Sequence, residues 1–374
     1  MDFSFGIEEE FFVVDERTLL IEPGAHARFL ARSSDLSGGC VTTELLQSQV
    51  EVATPVLSSF GEARHHLRRL RSALARAGAD LGLSVIAAGT HPTAEWHDQL
   101  QTPKARYDTV VSELQILAFR NLVCGLHVHV GLPDNEMRIE VMRRITPFLP
   151  IFLALSSSSP FWRGMESGFA SYRMTCYDEL PRTGLPPIFS GWSDYQAYVE
   201  VLRRAGVIAN PSYIWWAIRP SHKFPTLELR IADACTRLED TLTIAALYCS
   251  LVRALVLDRS LNPDLTSSER ALAKENKWRA QRFGLAAELV DPFGQRSSVA
   301  ATDAACQLAR ILRPHAEALG CRAELDGVER IVETGTSADR QLAIYRDAST
   351  RGYSSPNALG QVKAWIQSQT LDGI

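Results

Sequence analysis

The first run of apolar and polar positions, FSFGIEEEFFVVD at residues 3–15, sets three consecutive glutamates inside a β-favouring stretch. Strand side chains alternate between faces, so the pattern predicts a strand with Glu8 and Glu10 on one face and Glu9 on the other. Two carboxylates side by side in an apolar setting call for a cation. Further on, PGAHARFLARSS (23–34) reads as a short helix, and ELLQSQVEVATP (44–55) as a bent extended segment ended by Pro55. The clearest helix lies within 58–82. There Leu67, Leu70, Leu74, Ala77 and Leu81 recur at helical spacing behind a Ser58 or Ser59 cap, Gly82 can stop the helix, and the arginines read as a solvated face.

Alternation continues with a buried strand in LSVIAAGTHP (83–92), a helix in KARYDTVVSELQILAF (104–119) and a strand in CGLHVHVGLP (124–133). Helical spacing resumes over 135–160, with Pro147 and Pro150 placed to bend it, and an irregular stretch rich in Gly, Pro and aromatics follows from Phe161 to about Ser190. The runs YIWWAIRPS (213–221) and PTLELRIADA (225–234) predict an antiparallel pair around a turn at Ser221–Pro225. Beyond Arg237 the chain reads as helices with one hairpin near ELVDPFGQRSSV (288–299). No repeat or composition shift marks a boundary, so the expectation is one α+β domain over 1–374 whose C-terminal third, about 239–374, is helical.

Composition narrows the function classes. A net charge of -4 gives no electrostatic reason to expect nucleic acid or an anionic membrane as partner, and small-molecule chemistry is the better expectation. The seven cysteines, Cys40, Cys124, Cys176, Cys235, Cys249, Cys306 and Cys321, form no C-x-x-C pair, which fits a reducing cytoplasm. The acidic N-terminus and the short apolar run IAALYCSLVRALVL (244–257), broken by Arg253, lead to the expectation of neither export nor a membrane span.

Four extended segments carry charge in apolar settings: Glu8-x-Glu10, Glu44 with Glu51, His127-x-His129 and Glu228-x-Arg230. Spacing by two puts both side chains of a pair on one strand face; Glu44 and Glu51 differ by an odd number and need a bend or bulge between them. Singly, a His-x-His is more often hydrogen-bonded core and a Glu-x-Glu a solvated face. Together the four predict a wet cavity suited to hard divalent ions, Mg2+ or Mn2+, and through them to a nucleotide, with Arg230 or Arg219 steadying a transferring group. No P-loop and no protein-kinase signature is present.

The segments GIEEEFFVVD, ELLQSQVEVATP, AAGTHP, GLHVHVGLPD, ALSSSSPFWRG, FASYR, WAIRPS and LELRIADA resemble the type 2 glutamate-cysteine ligase family, in its bacterial ATP-dependent carboxylate-amine ligase branch. The resemblance implies a glutamine synthetase/guanidino kinase-like fold, a curved antiparallel sheet with helices on its convex side. It implies metal ligation by Glu8, Glu10, Glu44, Glu51, His127 and Glu228, phosphate contact by Arg230, and substrate carboxylate or phosphoryl contact by Arg219 and Arg173. His129 would bind nucleotide phosphate or orient His127. The implied reaction uses ATP to make an acyl phosphate that an amine then displaces, with weak glutamate-cysteine ligase activity, amino acids and ATP as substrates, and a homodimer as the assembly. The 161–190 stretch is expected to cover the site and exclude water. By the same resemblance Glu9 departs from the pattern, which implies an apolar residue there, and its side chain is expected to face away from the site. Three other readings are open at this point: a guanidino-type phosphotransferase, although its reactive cysteine has no evident counterpart; an ATP-independent metallohydrolase on His127 and His129; and a regulatory protein on a ligase scaffold.

Overall fold

The computed structural model describes residues 3–22, 24, 26–262, 264–295 and 297–374. Its centre is a seven-stranded sheet built from β1 (Phe5–Asp15), β2 (Val41–Thr43), β3 (Gln49–Ala53), β4 (Leu83–Ile86), β5 (Leu126–Gly131), β6 (Ile218–Pro220) and β7 (Thr226–Leu229). The order is β2-β3-β1-β5-β7-β6, with β4 pairing the far half of β1, and every pairing is antiparallel. Two sheet partners on one side of β1 explain its length: β5 runs beside Phe5–Glu9 and β4 beside Phe12–Asp15.

Alternation along β1 places Phe5, Ile7 and Glu9 in the interior, while Glu8 and Glu10 face a cavity. Helices α1 (His26–Ser37) and α2 (Phe60–Ala79) cover the interior face, where Phe29, Leu70, Leu74 and Ala77 meet Phe11, Val13, Val50 and Val85. Helix α2 starts where its sequence signals it, with the Ser59 side chain accepting from the Glu62 N–H at 3.3 Å, and it ends before Gly82, whose φ of 69° suits the turn. Its arginines are not all solvated. Arg71 shares the face of Leu67 and Leu74 and is fully buried, correcting the expected solvated face.

The predicted 104–119 helix is broken: α3 (Ala105–Leu114) ends at Gln115, which adopts φ 51°, and one further turn spans Ile116–Arg120. The 135–160 helix divides at its prolines into α4 (Asn135–Ile145) and α5 (Leu149–Ser156), joined by a 3-10 turn. The stretch expected to be irregular carries a two-residue hairpin, Phe161–Trp162 with Met165–Glu166, and a short helix at Arg173–Asp178. Helix α6 (Trp192–Arg204) follows.

From Leu238 on the described chain is helical except for the hairpin β8 (Glu288–Val290) with β9 (Ser298–Ala300), where sequence placed one; residue 296 of that prediction lies outside the described residues, as do 23 and 25 of the first predicted helix. Helix α7 (Leu238–Leu257) is long and apolar enough by composition to cross a membrane, yet 78% of its most apolar window is buried inside the fold. It packs against α2 and β5 as the core helix behind the sheet.

Candidate active site

Register turns the four charged pairs into one row. Across the sheet Glu51 lies opposite Glu10, Glu8 opposite His127, His129 opposite Glu228, and Glu228 opposite Arg219. Glu44 joins from the turn that links β2 to β3: the extended segment predicted as one bent piece is a hairpin, and the chain reversal, in place of a bulge, brings an odd-numbered pair to one face. All ten residues singled out from sequence, Glu8, Glu10, Glu44, Glu51, His127, His129, Arg173, Arg219, Glu228 and Arg230, line a single cavity of about 510 Å³.

Three groups in that cavity bring potential ligand atoms within 4.8 Å of one another: Glu10 with Glu44 and Glu51, Glu8 with Glu51 and His127, and Glu8 with His129 and Glu228. Glu8 and Glu51 each serve two groups. The Glu8 carboxylate reaches His127 Nδ1 and His129 Nε2, each at 3.3 Å, and Thr226 Oγ1 fixes the other ring nitrogen of His129 at 2.9 Å.

Charge is unevenly distributed along the row. Burial, followed by the charge of Glu10, pushes the Glu44 carboxyl up to about 8. Burial and the neighbouring Glu8, Glu44 and Glu10 hold Glu51 well above the ordinary carboxylate range. The other end is the reverse. Burial opposes ionisation of Glu228, but Arg219, Arg230 and His129 outweigh it and hold its carboxyl well below the usual range. For Glu8 burial is likewise outweighed, here by hydrogen bonds with His127 and His129. His127 is lowered by burial and by Arg230, whereas His129 is raised because Glu228 and Glu8 overcome its burial.

The arginines are more committed than sequence implied. Arg219 donates to both Glu228 oxygens, at 2.9 and 3.1 Å, and to the carbonyls of Ser212 and Ile214. Arg173 lies beneath the floor, donating to the carbonyls of Arg230 and Ile231; a Cβ on Gly125 would stand 2.2 Å from its Nη2, so only glycine fits β5's entry there. Arg230 reaches Glu228 and the Tyr177 hydroxyl. Cations that sequence missed are Lys104 and Arg106, at the start of α3, and His222 and Lys223, on the turn between β6 and β7; all four line the cavity. Their signal was weak: basic residues in KARY and SHKF read equally well as a helix start and a solvated turn.

The 161–190 stretch is a wall and not a free cover. Only Arg173, Tyr177 and Leu180 of it reach the cavity, and its Ser171 is tied to Asp233, whose carboxylate accepts from Ser171 Oγ (2.7 Å) and, just before the stretch, from Ser158 N (3.0 Å) and Ser159 Oγ (2.7 Å). A Cβ at Gly89 would lie 2.7 Å from that carboxylate, so AAGTHP, SSSSP, FASYR and RIADA all meet at one buried acid.

A family model described as glutamate-cysteine ligase family 2 matches residues 4–360. The chain belongs to that family. A Rhodospirillum rubrum protein provisionally named glutamate-cysteine ligase 2 is 45% identical over 373 residues, covering 99% of this chain and 96% of its own. A Roseiflexus protein of the same provisional name is 41% identical, covering 100% and 96%. As a member of glutamate-cysteine ligase family 2 the chain is an enzyme of the glutamate-cysteine ligase type. Its fold is that of a Francisella tularensis glutamate-cysteine ligase solved in complex with AMP, with TM-score 0.71, 14% identity, and 100% and 89% coverage. A Pasteurella multocida bifunctional glutathione synthetase shares the fold at TM-score 0.69 and 16% identity, with 99% of this chain covering 53% of that one.

Proposed function

We propose that the chain is an ATP-dependent carboxylate-amine ligase that activates a substrate carboxylate as an acyl phosphate and joins it to an amine. L-glutamate and L-cysteine, giving γ-glutamylcysteine, are the first pair to test. The observation that carries this reading is the row from Glu51 to Arg219, in which three ligand groups share carboxylates and end against two arginines.

The donor set fits Mg2+ or Mn2+. Glu10, Glu44 and Glu51 offer oxygen alone, each other group adds one imidazole, and His127 Nε2 is buried without a hydrogen-bond partner. Such ions, when bound, neutralise phosphate charge and polarise the bond being broken. The chain's own side chains do the rest. Glu228, locked by Arg219, holds the Arg230 guanidinium over the same face, where it stabilises charge developing on the transferring phosphoryl group. Lys104, Arg106, His222 and Lys223, none of them ion-paired among the described residues, balance the anionic substrates. Water exclusion falls to α3 and the 221–224 turn, which line the same cavity from other elements.

The reading extends to a cytoplasmic homodimer. All seven cysteines are free thiols, which supports a reducing compartment, while the dimer rests on the family resemblance and is decided by light scattering on the purified protein. The main test measures ADP release with ATP and magnesium over single amino acids and pairs, with products identified by mass spectrometry. Release requiring both glutamate and cysteine establishes the pair; release with another acid and amine keeps the mechanism and replaces the substrates; no release under any combination overturns the ligase reading.

A further inference from the structure

The turn that carries Glu44 has an exacting task. It must keep the Glu44 carboxylate within 4.8 Å of those of Glu10 and Glu51, although ionised carboxylates so close repel one another. The strand before it offers little restraint. β2 has three residues and lies at the edge of the sheet, beside β3, so the turn depends on ties from outside the hairpin.

Those ties come from α3 and the segment leading into it. The Gln47 N–H donates to the Leu100 carbonyl and the Thr102 N–H to the Leu45 carbonyl, both at 2.9 Å, and Gln47 Nε2 reaches the Gln101 carbonyl at 2.9 Å. These bonds hold the turn beyond Glu44. Ahead of it, the Tyr107 hydroxyl of α3 donates to the Thr43 carbonyl at 3.0 Å. That carbonyl belongs to the peptide unit that joins Thr43 to Glu44, and the unit is planar, so an anchored oxygen sets the plane from which Glu44 Cα departs. Across the hairpin, Thr42 Oγ1 donates to Glu51 Oε1 at 3.3 Å, so two members of the carboxylate group have partners that steady them from behind.

Tyr107 also lines the catalytic cavity, and its helix is lightly held. Val110 is the one buried residue of α3, and at its start the Arg106 guanidinium lies over the Tyr213 ring at 5.2 Å. We infer that Tyr107 is a positioning residue for the metal site: its hydroxyl, acting through the Thr43 carbonyl, keeps Glu44 in ligating range of Glu10 and Glu51. The inference rests on the reading of that carboxylate group as a divalent-ion site. It adds a partner from α3 that the ligand pattern itself does not contain.

Titration of the full chain with Mn2+, followed by electron paramagnetic resonance in the absence of nucleotide and amino acids, reads the site without turnover. Glu44→Gln marks it by weakening one class of bound Mn2+. Tyr107→Phe removes only a hydroxyl and should weaken the same class about ten-fold. In the Glu44→Gln background it should have no further effect, because Glu44 is the group through which the hydroxyl acts. In turnover, Tyr107→Phe should need about ten-fold more Mn2+ for half-maximal rate and recover the wild-type kcat at saturation. Unchanged Mn2+ affinity in Tyr107→Phe overturns the inference, leaving a packing role if the melting temperature falls and a substrate contact if the KM for an amino acid rises. An equal loss in both backgrounds overturns it as well. Wild-type protein that binds no Mn2+, or Glu44→Gln that leaves every bound Mn2+ unchanged, overturns the metal reading itself and the inference with it.

Discussion

Glu9 stands between two site carboxylates and serves the opposite face. Its oxygens accept from Arg71 Nε at 3.1 Å and Nη2 at 2.5 Å and from Thr241 Oγ1 at 2.6 Å, while the same arginine donates to the carbonyls of Cys235, Thr236 and Thr370. This ties β1 to α2, to α7 and to the chain's last helix. Because both charges are buried, Glu9→Gln should cost about 3–5 kcal/mol in urea unfolding by stranding the Arg71 charge, whereas replacing both partners with apolar residues should cost far less. Equal losses from the single and double changes would show that the pair's charge is not what matters. Strand alternation made the direction of Glu9 legible, and helical spacing contained its partner too: residue 71 is four after Leu67 and three before Leu74. What hid Arg71 is that Arg68, Arg69 and Arg76 around it are exposed, so charge content was read ahead of phase. On the site face, Glu10→Gln should lower ADP release by about 10²-fold or more while leaving the fold intact. In EDTA the same variant should melt higher than wild type, since one charge leaves the Glu44 and Glu51 cluster; a lower melting point would place Glu10 in a structural role.

Among the elements, those built from local periodicity were legible, and those fixed by long-range pairing were not. Helix α2, strands β1 and β5 and the β6–β7 pair lie where spacing put them, because the core dictates their buried faces. The β2–β3 hairpin was read as one bent segment, since Leu45 and Leu46 in its turn look like strand residues until Leu46 is seen bridging Gln101. Seven of the ten site residues come from five strands of one sheet, Glu8, Glu10, Glu51, His127, His129, Arg219 and Glu228 among its β1, β3, β5, β6 and β7 positions, yet no pattern in the chain states which strands adjoin. The wall at 161–190 was invisible for a related reason: its ties are long-range, Ser171 Oγ donating to Asp233, sixty-two residues on, and the Ala170 and Ser171 N–H groups to the Gln281 carbonyl. Packing between β5 and that wall can be tested. Gly125→Ala drives a methyl into the Arg173 guanidinium, so it should destabilise by about 1–3 kcal/mol and reduce turnover together. Full activity with unchanged stability would mean that Arg173 is free to move aside.

At the scale of the whole molecule, the cavity is a charge imbalance that folding alone leaves uncorrected. Ordinary glutamates lose their protons near 4.5, but in the folded protein Glu44 holds its proton to about 8 and Glu51 is also raised. Between these values the unfolded chain binds fewer protons at these positions than the folded one, so their contribution to stability is present below 4.5 and is lost as pH rises toward 8. Glu8 and Glu228 have the opposite sign, lowered in the fold, and their contribution is lost only as pH falls below the ordinary carboxylate range. Histidines complicate a simple melt. His91, lowered to about 3 by burial, favours the fold as pH rises to 6.5, and His127 and His129 shift in opposite directions. The gap between melting temperatures in magnesium and in EDTA removes these shared terms, because magnesium binds the deprotonated carboxylates and releases their protons. That gap should be small at pH 5.5 and widen steadily to pH 8, and Glu51→Gln should flatten it. A gap that is independent of pH, or that narrows toward pH 8, would mean that magnesium binds elsewhere and that the row of carboxylates is held by the arginines alone.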